Sequence, residues 1–225
     1  MLPQDIALFI RSAKTDARLQ HLLPKLGAAG ALEAVYAADP DPWASASSKY
    51  RYQSRKYEVL ASLLPERQFA RAIDVGCGPG MLSRLLAARA SAVVGIDVSQ
   101  SAIELARVRC ADLENVSFAV HDLLELPASL NGMFDLVVVA DVLYYLVALA
   151  PDQLNAIAGR IALLLAPGGV CMLANHYVIC LDSDSRRSRR IHDAFRKFPG
   201  LVVLKEYRRP FYLVTILASR ENSSS

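Results

Sequence analysis

Little in this chain could crosslink it or hold a metal. Only four of its 225 residues are cysteine. Cys77, Cys110, Cys171 and Cys180 stand far apart with no C-x-x-C pair, which argues for reduced thiols in a cytoplasmic setting and against zinc. Carboxylates and histidines form no clustered set, so no metal is expected. No apolar run is long and clean enough for a bilayer. Met133 to Ala150 is interrupted by Asp135 and Asp141, and the next run breaks at Pro167-Gly168-Gly169. The N-terminus lacks a basic start, an apolar middle and a small-residue cleavage pattern, so no secretion signal is expected. A formal net charge of +3 is too small to mark a nucleic-acid binder. No internal repeat is found, which sets aside repeat architectures.

What is present is apolar sequence, 53% of the chain. At this length it suits one domain built around a sheet covered on both faces, whose strands read as unbroken apolar runs. The pivotal stretch is Ala72-Ile73-Asp74-Val75-Gly76-Cys77-Gly78-Pro79-Gly80, followed by a helical pattern from Met81 to Ala88. A buried strand ends there, the backbone turns tightly, and a helix starts with Pro79 close to its first turn. Glycine is needed where the backbone enters conformations closed to other residues or where a ligand touches bare main chain. By itself the unit is also compatible with a tight turn that binds nothing. A dinucleotide fingerprint would require G-x-G-x-x-G, and the place of its third glycine is taken by Met81, which disfavours a dehydrogenase.

Further signals follow in order. Val93-Val94-Gly95-Ile96-Asp97 is a second strand ending in an acid, 21 positions past Gly76, where a carboxylate can accept bonds from ribose hydroxyls. Val116 to Asp122 gives a third strand ending in an acid, Phe134 to Ala140 a fourth, and Pro167-Gly168-Gly169 precedes a fifth at Val170–Ala174. With Gly76, Gly78 and Gly80 spaced as G-x-G-x-G behind Asp74, the chain resembles the class I S-adenosylmethionine (SAM)-dependent methyltransferases. The resemblance implies a three-layer, Rossmann-like α/β fold. Its seven-stranded sheet is mostly parallel with one antiparallel strand, under a helical N-terminal cap.

The segment before the glycine turn reads as helical. Helices are expected around Ile6–Phe9, around Leu19–Leu26 closed by Gly27, over Ala28–Ala38, and over Lys49–Leu64 beyond the extended Asp39–Trp43 linker. Residues 1–64 are therefore read as a cap or lid, 65–220 as the core and 221–225 as a disordered tail of a single domain. The cap holds Tyr36, Trp43, Tyr50, Tyr52 and Tyr57, which could fasten it to the sheet or face a sulfonium or an acceptor by cation–π attraction of about 0.5–2 kcal/mol. Asp41-Pro42-Trp43, Lys49-Tyr50 and Arg55-Lys56-Tyr57 make this opening similar to that of the rhizobial nodulation S N-methyltransferases, a family acting on an amino sugar at the end of a chitin-like oligosaccharide. That likeness fades beyond about residue 175. After the core strands, Ser99 is the expected N-cap of a helix to Asp112, and a helix is expected near Pro151–Leu165. A basic helix is expected over 183–197, with an antiparallel hairpin over Leu201–Tyr207 and Phe211–Ala218.

The resemblance implies that SAM, yielding S-adenosyl-L-homocysteine, is held by Asp74, Gly76, Cys77, Gly78, Gly80, Asp97, Val98, Asp122, Leu123 and Ala140, with Arg55, Trp43 and Tyr50 from the cap. In it Asp74 accepts bonds from the glycine-turn backbone near the methionine ammonium, Asp97 binds ribose, Asp122 and the Leu123 backbone read adenine, and Val98 packs beside it. An acid ending the second strand has little evident structural reason to be there, which singles out Asp97. Ala140-Asp141-Val142-Leu143-Tyr144-Tyr145 fills the place where acceptor meets methyl, so Tyr144 is a catalytic candidate, and a core role is the alternative. His176, just past strand five, faces the same crevice and is the second candidate. The run Arg186–Arg190 reads as a solvated helix face, with recognition of an anionic substrate or a carrier protein as the alternative. The implied activity is methyl transfer to a small molecule, with no nucleic acid and no membrane as partner and the oligomeric state left open. An amine acceptor is favoured by the nodulation likeness. An O-methyltransferase using His176 as base, or a non-catalytic SAM-binding regulator, are the alternatives.

Overall fold

Strands apolar on both sides are stable only with both faces covered, and the chain supplies helices for each. The computed structural model describes residues 3–45, 51–143, 150–177, 183–209 and 211–220. Its strands are β1 (Phe69–Val75), β2 (Ala90–Asp97), β3 (Val116–Val120), β4 (Phe134–Ala140), β5 (Leu165–Tyr177), β6 (Leu201–Arg209) and β7 (Phe211–Ser219). They form one sheet in the order β3-β2-β1-β4-β5-β7-β6. The pairs β1–β2, β1–β4, β2–β3 and β4–β5 are parallel, whereas β7 runs antiparallel to both β5 and β6. One reversed strand in seven is what the resemblance implied.

The helices are α1 (Pro3–Ala38), α2 (Arg51–Leu63), α3 (Met81–Leu86), α4 (Gln100–Arg109), α5 (Pro151–Leu164) and α6 (Ser183–Lys197). Period-two alternation divides the core between the two sheet faces. Ile73, Val75, Val137, Val139, Cys171 and Leu173 pack with α5 and α6 through Leu154, Ile157, Ile161, Ile191 and Phe195. Ala72, Leu136, Val138, Met172 and Ala174 pack on the opposite face with Leu60 of α2 and with Leu82 and Leu86 of α3. The helical pattern expected from Met81 to Ala88 stops at Leu86, because β2 already begins at Ala90. The fifth strand is longer than expected at both ends.

The leader departs from its expected segmentation. The first two expected helices are one continuous stretch of α1, while Gly27 (φ 68°, ψ 178°) does break it at the anticipated place. Leu19, Leu23, Ala31, Leu32 and Val35 form a small core of their own, joined by Trp43 and by Val98 just after β2. Polar bonds complete the docking. Glu33 accepts from the Ser99 hydroxyl (2.7 Å), the Ser101 hydroxyl (2.6 Å) and the Ser101 N–H (3.1 Å), at the start of α4. The Ser101 hydroxyl bond, with help from Ser99, holds the Glu33 carboxyl below its ordinary range. The expected tail, 221–225, lies outside the described residues.

Glu33 thus caps a helix that belongs to the core, and capping bonds of this kind contribute about 1–2 kcal/mol. Glu33→Ala should speed amide exchange over residues 28–38 by roughly tenfold, the equivalent of about 1.4 kcal/mol, while leaving β1 and β4 protected. Unchanged exchange in that segment would show that the apolar cluster alone holds the leader.

Candidate active site

Alternation along each strand brings the polar residues to one side. Asp74 follows Ala72, Asp97 follows Val93 and Gly95, Ala140 follows Leu136 and Val138, and His176 follows Met172 and Ala174. All four therefore sit on the α2/α3 face, at the carboxyl ends of neighbouring strands. In open α/β sheets ligands bind at that end. Between β1 and α3 the chain turns through Gly76 (φ 68°), Gly78 (φ 50°) and Gly80 (φ 79°), all left-handed and unfavourable for other residues. Space is as tight as conformation. A Cβ on Gly76 would lie 2.5 Å from a Val142 methyl, and one on Gly78 would lie 2.8 Å from the Tyr36 hydroxyl.

Asp97 proves to have a structural reason of its own, contrary to the sequence expectation. Its carboxylate accepts from the Gly78 N–H (2.9 Å) and the Ser99 N–H (3.0 Å), tying the glycine turn to the start of α4. Burial raises its pKa against the pull of these backbone bonds. Asp74 also differs from expectation. It takes its bond from the first turn of α3, where the Ser83 hydroxyl donates at 2.6 Å, rather than from the glycine turn. Only 2% exposed, it is pushed up to about 7 by desolvation, with the Asp97 charge adding to the rise. Two buried carboxylates at adjacent strand ends lack a cation among the residues that bond them. A ligand carrying an ammonium and vicinal hydroxyls fits that deficit.

The remaining expected residues divide. Cys77 is buried beneath the turn, 3.1 Å from where a Gly95 Cβ would be, and desolvation raises its thiol. Asp122 is exposed and accepts from the Leu124 N–H (2.8 Å), capping a short 3₁₀ turn, while Leu123 beside it is buried. Val98 packs on the leader cluster, and Ala140 on the α2/α3 face. Trp43 is held inside the leader, donating to Asp16 (2.7 Å) and meeting Tyr36 edge-on at 5.6 Å. Arg55 is exposed and close enough to lower the Tyr212 phenol, which desolvation raises overall. His176 is half-buried and paired in register with Tyr212. Tyr50 and Tyr144 lie outside the described residues. Arg186, Arg187 and Arg190 are exposed on α6, as a solvated face requires. Among the described residues no His, Cys, Asp and Glu group gathers that could hold a metal ion, and no helix is long and apolar enough to cross a membrane.

Three contributors carry no individual role in the sequence reading. Tyr36 lies over Gly78, and burial together with the Asp97 charge raises its phenol strongly. Asp141, the first residue past β4, adopts a left-handed conformation (φ 57°) and pairs with Lys56 of α2. Tyr57 lies near both Asp141 and Asp74, whose charges add to the desolvation that raises its phenol. None is separable by pattern: the partners stand far apart in sequence, and Asp141 reads as one polar residue inside an apolar run.

A sheet of this order, with a glycine turn closing β1 and an acid closing β2, defines the class I, SAM-dependent methyltransferase fold. The profile of the methyltransferase domain family matches residues 68–209, and the chain belongs to that family. Nodulation protein S of Rhizobium tropici is 33% identical over 159 residues, 71% of this chain and 62% of that protein. Ubiquinone biosynthesis O-methyltransferase of Alkalilimnicola ehrlichii is 30% identical over 130 residues, 57% and 51% of the two chains. The chain thus spans a little under two thirds of the length of the nodulation S relative. The crystal structure of the N-methyltransferase NodS from Bradyrhizobium japonicum WM9, in complex with S-adenosyl-L-homocysteine, shares the fold. Its TM-score is 0.68 at 24% identity, over 84% of this chain and 97% of that one.

Asp74 also makes stability depend on pH. Its folded-state pKa of about 7 lies above the ordinary 3.8, so the native state holds the proton more tightly than the unfolded one. The contribution is fully present below about pH 4 and is lost as pH rises through 7. The unliganded protein should melt lower at pH 8 than at pH 5.5, and Asp74→Asn should flatten that slope. Equal slopes in calorimetric scans of the two proteins would refute the assignment.

Proposed function

We propose that this chain is a SAM-dependent methyltransferase of a small molecule, with an amine nitrogen as acceptor and an amino sugar as the favoured class. The observation that carries the reading is the pair of buried carboxylates, Asp74 and Asp97, set beside three left-handed glycines on one face of the sheet. Asp97 would take ribose hydroxyls, Asp74 the methionine ammonium, and the Gly76–Gly80 turn the main-chain approach. Leu123, Asp122 and Val98 would border the adenine, with Cys77 and Ala140 lining the floor. Bound SAM supplies a methyl already activated on a sulfonium. The protein's part is then alignment and exclusion of water, and positioning of that kind lowers a barrier by about 7–11 kcal/mol. An amine acceptor needs its neutral form, which desolvation favours.

The amine is supported by the nodulation S relatives and by the apolar, aromatic surroundings of Tyr57 and Tyr212. We read residues 1–64 as a lid over this site, with Tyr36, Glu33 and Leu60 of α2 among its contacts with the core. Arg55 and Tyr50 are its contribution toward cofactor and acceptor, while Trp43, first expected there, ties the leader together through Asp16 and Tyr36. Added S-adenosyl-L-homocysteine should then increase protection of α1. The buried, unpaired cysteines Cys77, Cys110 and Cys171 support a reducing, cytoplasmic setting. Asp97→Ala should weaken cofactor binding by about 1.5–3 kcal/mol, the worth of a hydrogen bond to a charged group. Unchanged affinity by calorimetry would remove Asp97 from the site.

A second reading is O-methylation, favoured by the ubiquinone O-methyltransferase relatives and by His176 at the end of β5. A hydroxyl sheds its proton as the methyl arrives, so a base must stand within hydrogen-bond reach. Methyl transfer by His176→Ala, followed against pH on an amine and a phenol panel, separates the two. Less than tenfold loss, with rate tracking the titration of the amine, is expected. A loss of about 10²–10⁴-fold, with phenols as the substrates used, would establish the O-methyltransferase instead.

A further inference from the structure

The carboxyl end of β4 holds an arrangement that the fold does not require. Asp141 stands immediately past the strand, its N–H bonded to Ala174 O of β5 (2.8 Å). It keeps φ at 57°, a left-handed conformation uncommon for residues with a side chain, of which Asp is among the more tolerant. One carboxylate oxygen, Oδ2, accepts from Lys56 Nζ. The other, Oδ1, is buried and finds no donor among the described residues. The adjoining Val142 presses on Gly76, so this carboxylate sits beside the glycine turn proposed to carry the cofactor.

Lys56 is equally unusual. Its side chain is 4% exposed, and its ammonium lies 5.7 Å from the centre of the Tyr212 ring. A buried ion pair is seldom worth more than apolar packing, so the fold alone gives little reason to keep this one. Here the ammonium is instead held against a carboxylate and an aromatic face, a combination that recognises organic cations. Tyr57, next to it on α2, lies near both Asp141 and Asp74, the second of which is proposed to hold the cofactor.

We propose that Asp141 is the seat of the acceptor's primary amino group, and that Lys56 holds that seat until the acceptor takes it. The inference rests on the amine reading above and deepens it. The acceptor's ammonium exchanges with that of Lys56 at Oδ2, and the orphan Oδ1 supplies the second acceptor that a three-donor –NH₃⁺ can use. Before transfer the seated ammonium sheds one proton to solvent, R–NH₃⁺ becoming R–NH₂, which frees the nitrogen lone pair. The Tyr212 ring faces the departing and the arriving cation alike. Selectivity follows for unhindered primary amines over quaternary ones, which cannot donate to Asp141.

Thermal midpoints in n-butylammonium chloride, against tetramethylammonium chloride at equal ionic strength, test the exchange without turnover. Lys56→Met keeps the side-chain volume, so it leaves Asp141 unpaired without opening a hole for the probe to fill. Its midpoint should rise by several degrees in n-butylammonium only, the wild type's by less, and Asp141→Asn's not at all. Lys56→Gln serves in the same role should the Met variant not fold. With D-glucosamine as acceptor, Lys56→Met should lower KM and Asp141→Asn should raise it by tenfold or more, a split that a purely structural tie between α2 and β4 would not give. No ammonium-specific shift in either Lys56 variant would overturn the proposal. Methylation of phenols alone would instead overturn the amine reading, while the midpoints still decide whether Asp141 is a cation seat.

Discussion

The arrangement depends first on the Asp97 carboxylate. It ends β2, bonds backward to the Gly78 N–H and forward to the Ser99 N–H, and so fixes the glycine turn relative to the start of α4. It adds a side-chain anchor to a turn that the Gly76 and Cys77 N–H groups also tie to Ile96 O (2.8 and 3.0 Å), and such anchors matter because glycine loses more conformational freedom on ordering than any other residue. Ser99 in turn caps α4 by accepting from the Ala102 N–H (3.1 Å) and donates to Glu33 of the leader. One carboxylate thereby organises strand, turn, helix and cap. Desolvation opposes its charge, and backbone donors offset that opposition, which is the usual condition for a buried acid to persist.

A second consequence follows from sheet parity. Neighbouring parallel strands in register present alternate residues to one face, so acids at the ends of β1 and β2 and a histidine at the end of β5 share a side. The opposite face has a buried polar group of its own. His192 of α6 meets Thr215 of β7 at 2.7 Å and is pushed down to about 3 by desolvation. Such a histidine stays neutral and belongs to packing. His176, the histidine that the sequence singles out, differs in standing half-buried at the crevice end of β5.

The leader carries the strongest difference between what pattern suggests and what contact shows. Its aromatics could equally be glue or ligand wall. Trp43 is bound to Asp16 and Tyr36 within the leader, whereas Tyr36 reaches the core over Gly78. The same short segment therefore contains both kinds of aromatic, and position relative to the turn decides which is which. The pair formed by Lys56 and Asp141 extends the leader's reach to the end of β4.

The sequence by itself determined the kinds of element and much of their order. Alternating apolar strands and helices, glycines at 76, 78 and 80, an acid closing β2, a serine cap at 99 and a final hairpin are each written in a stretch of a few residues, which local pattern records. It did not determine that helices expected near Ile6 and Leu19 are continuous, nor that the helix after the turn ends at Leu86, because neighbouring packing sets those limits. Only the tertiary structure decided which polar groups meet: Glu33 with Ser99 and Ser101, Asp74 with Ser83, Tyr36 with the turn, and Lys56 with Asp141, 85 positions away. The physical reason is that a buried charge takes whichever partner the docked elements bring to it. Periodicity, which records only the face a residue occupies, carries no trace of that partner until the leader lies against the sheet.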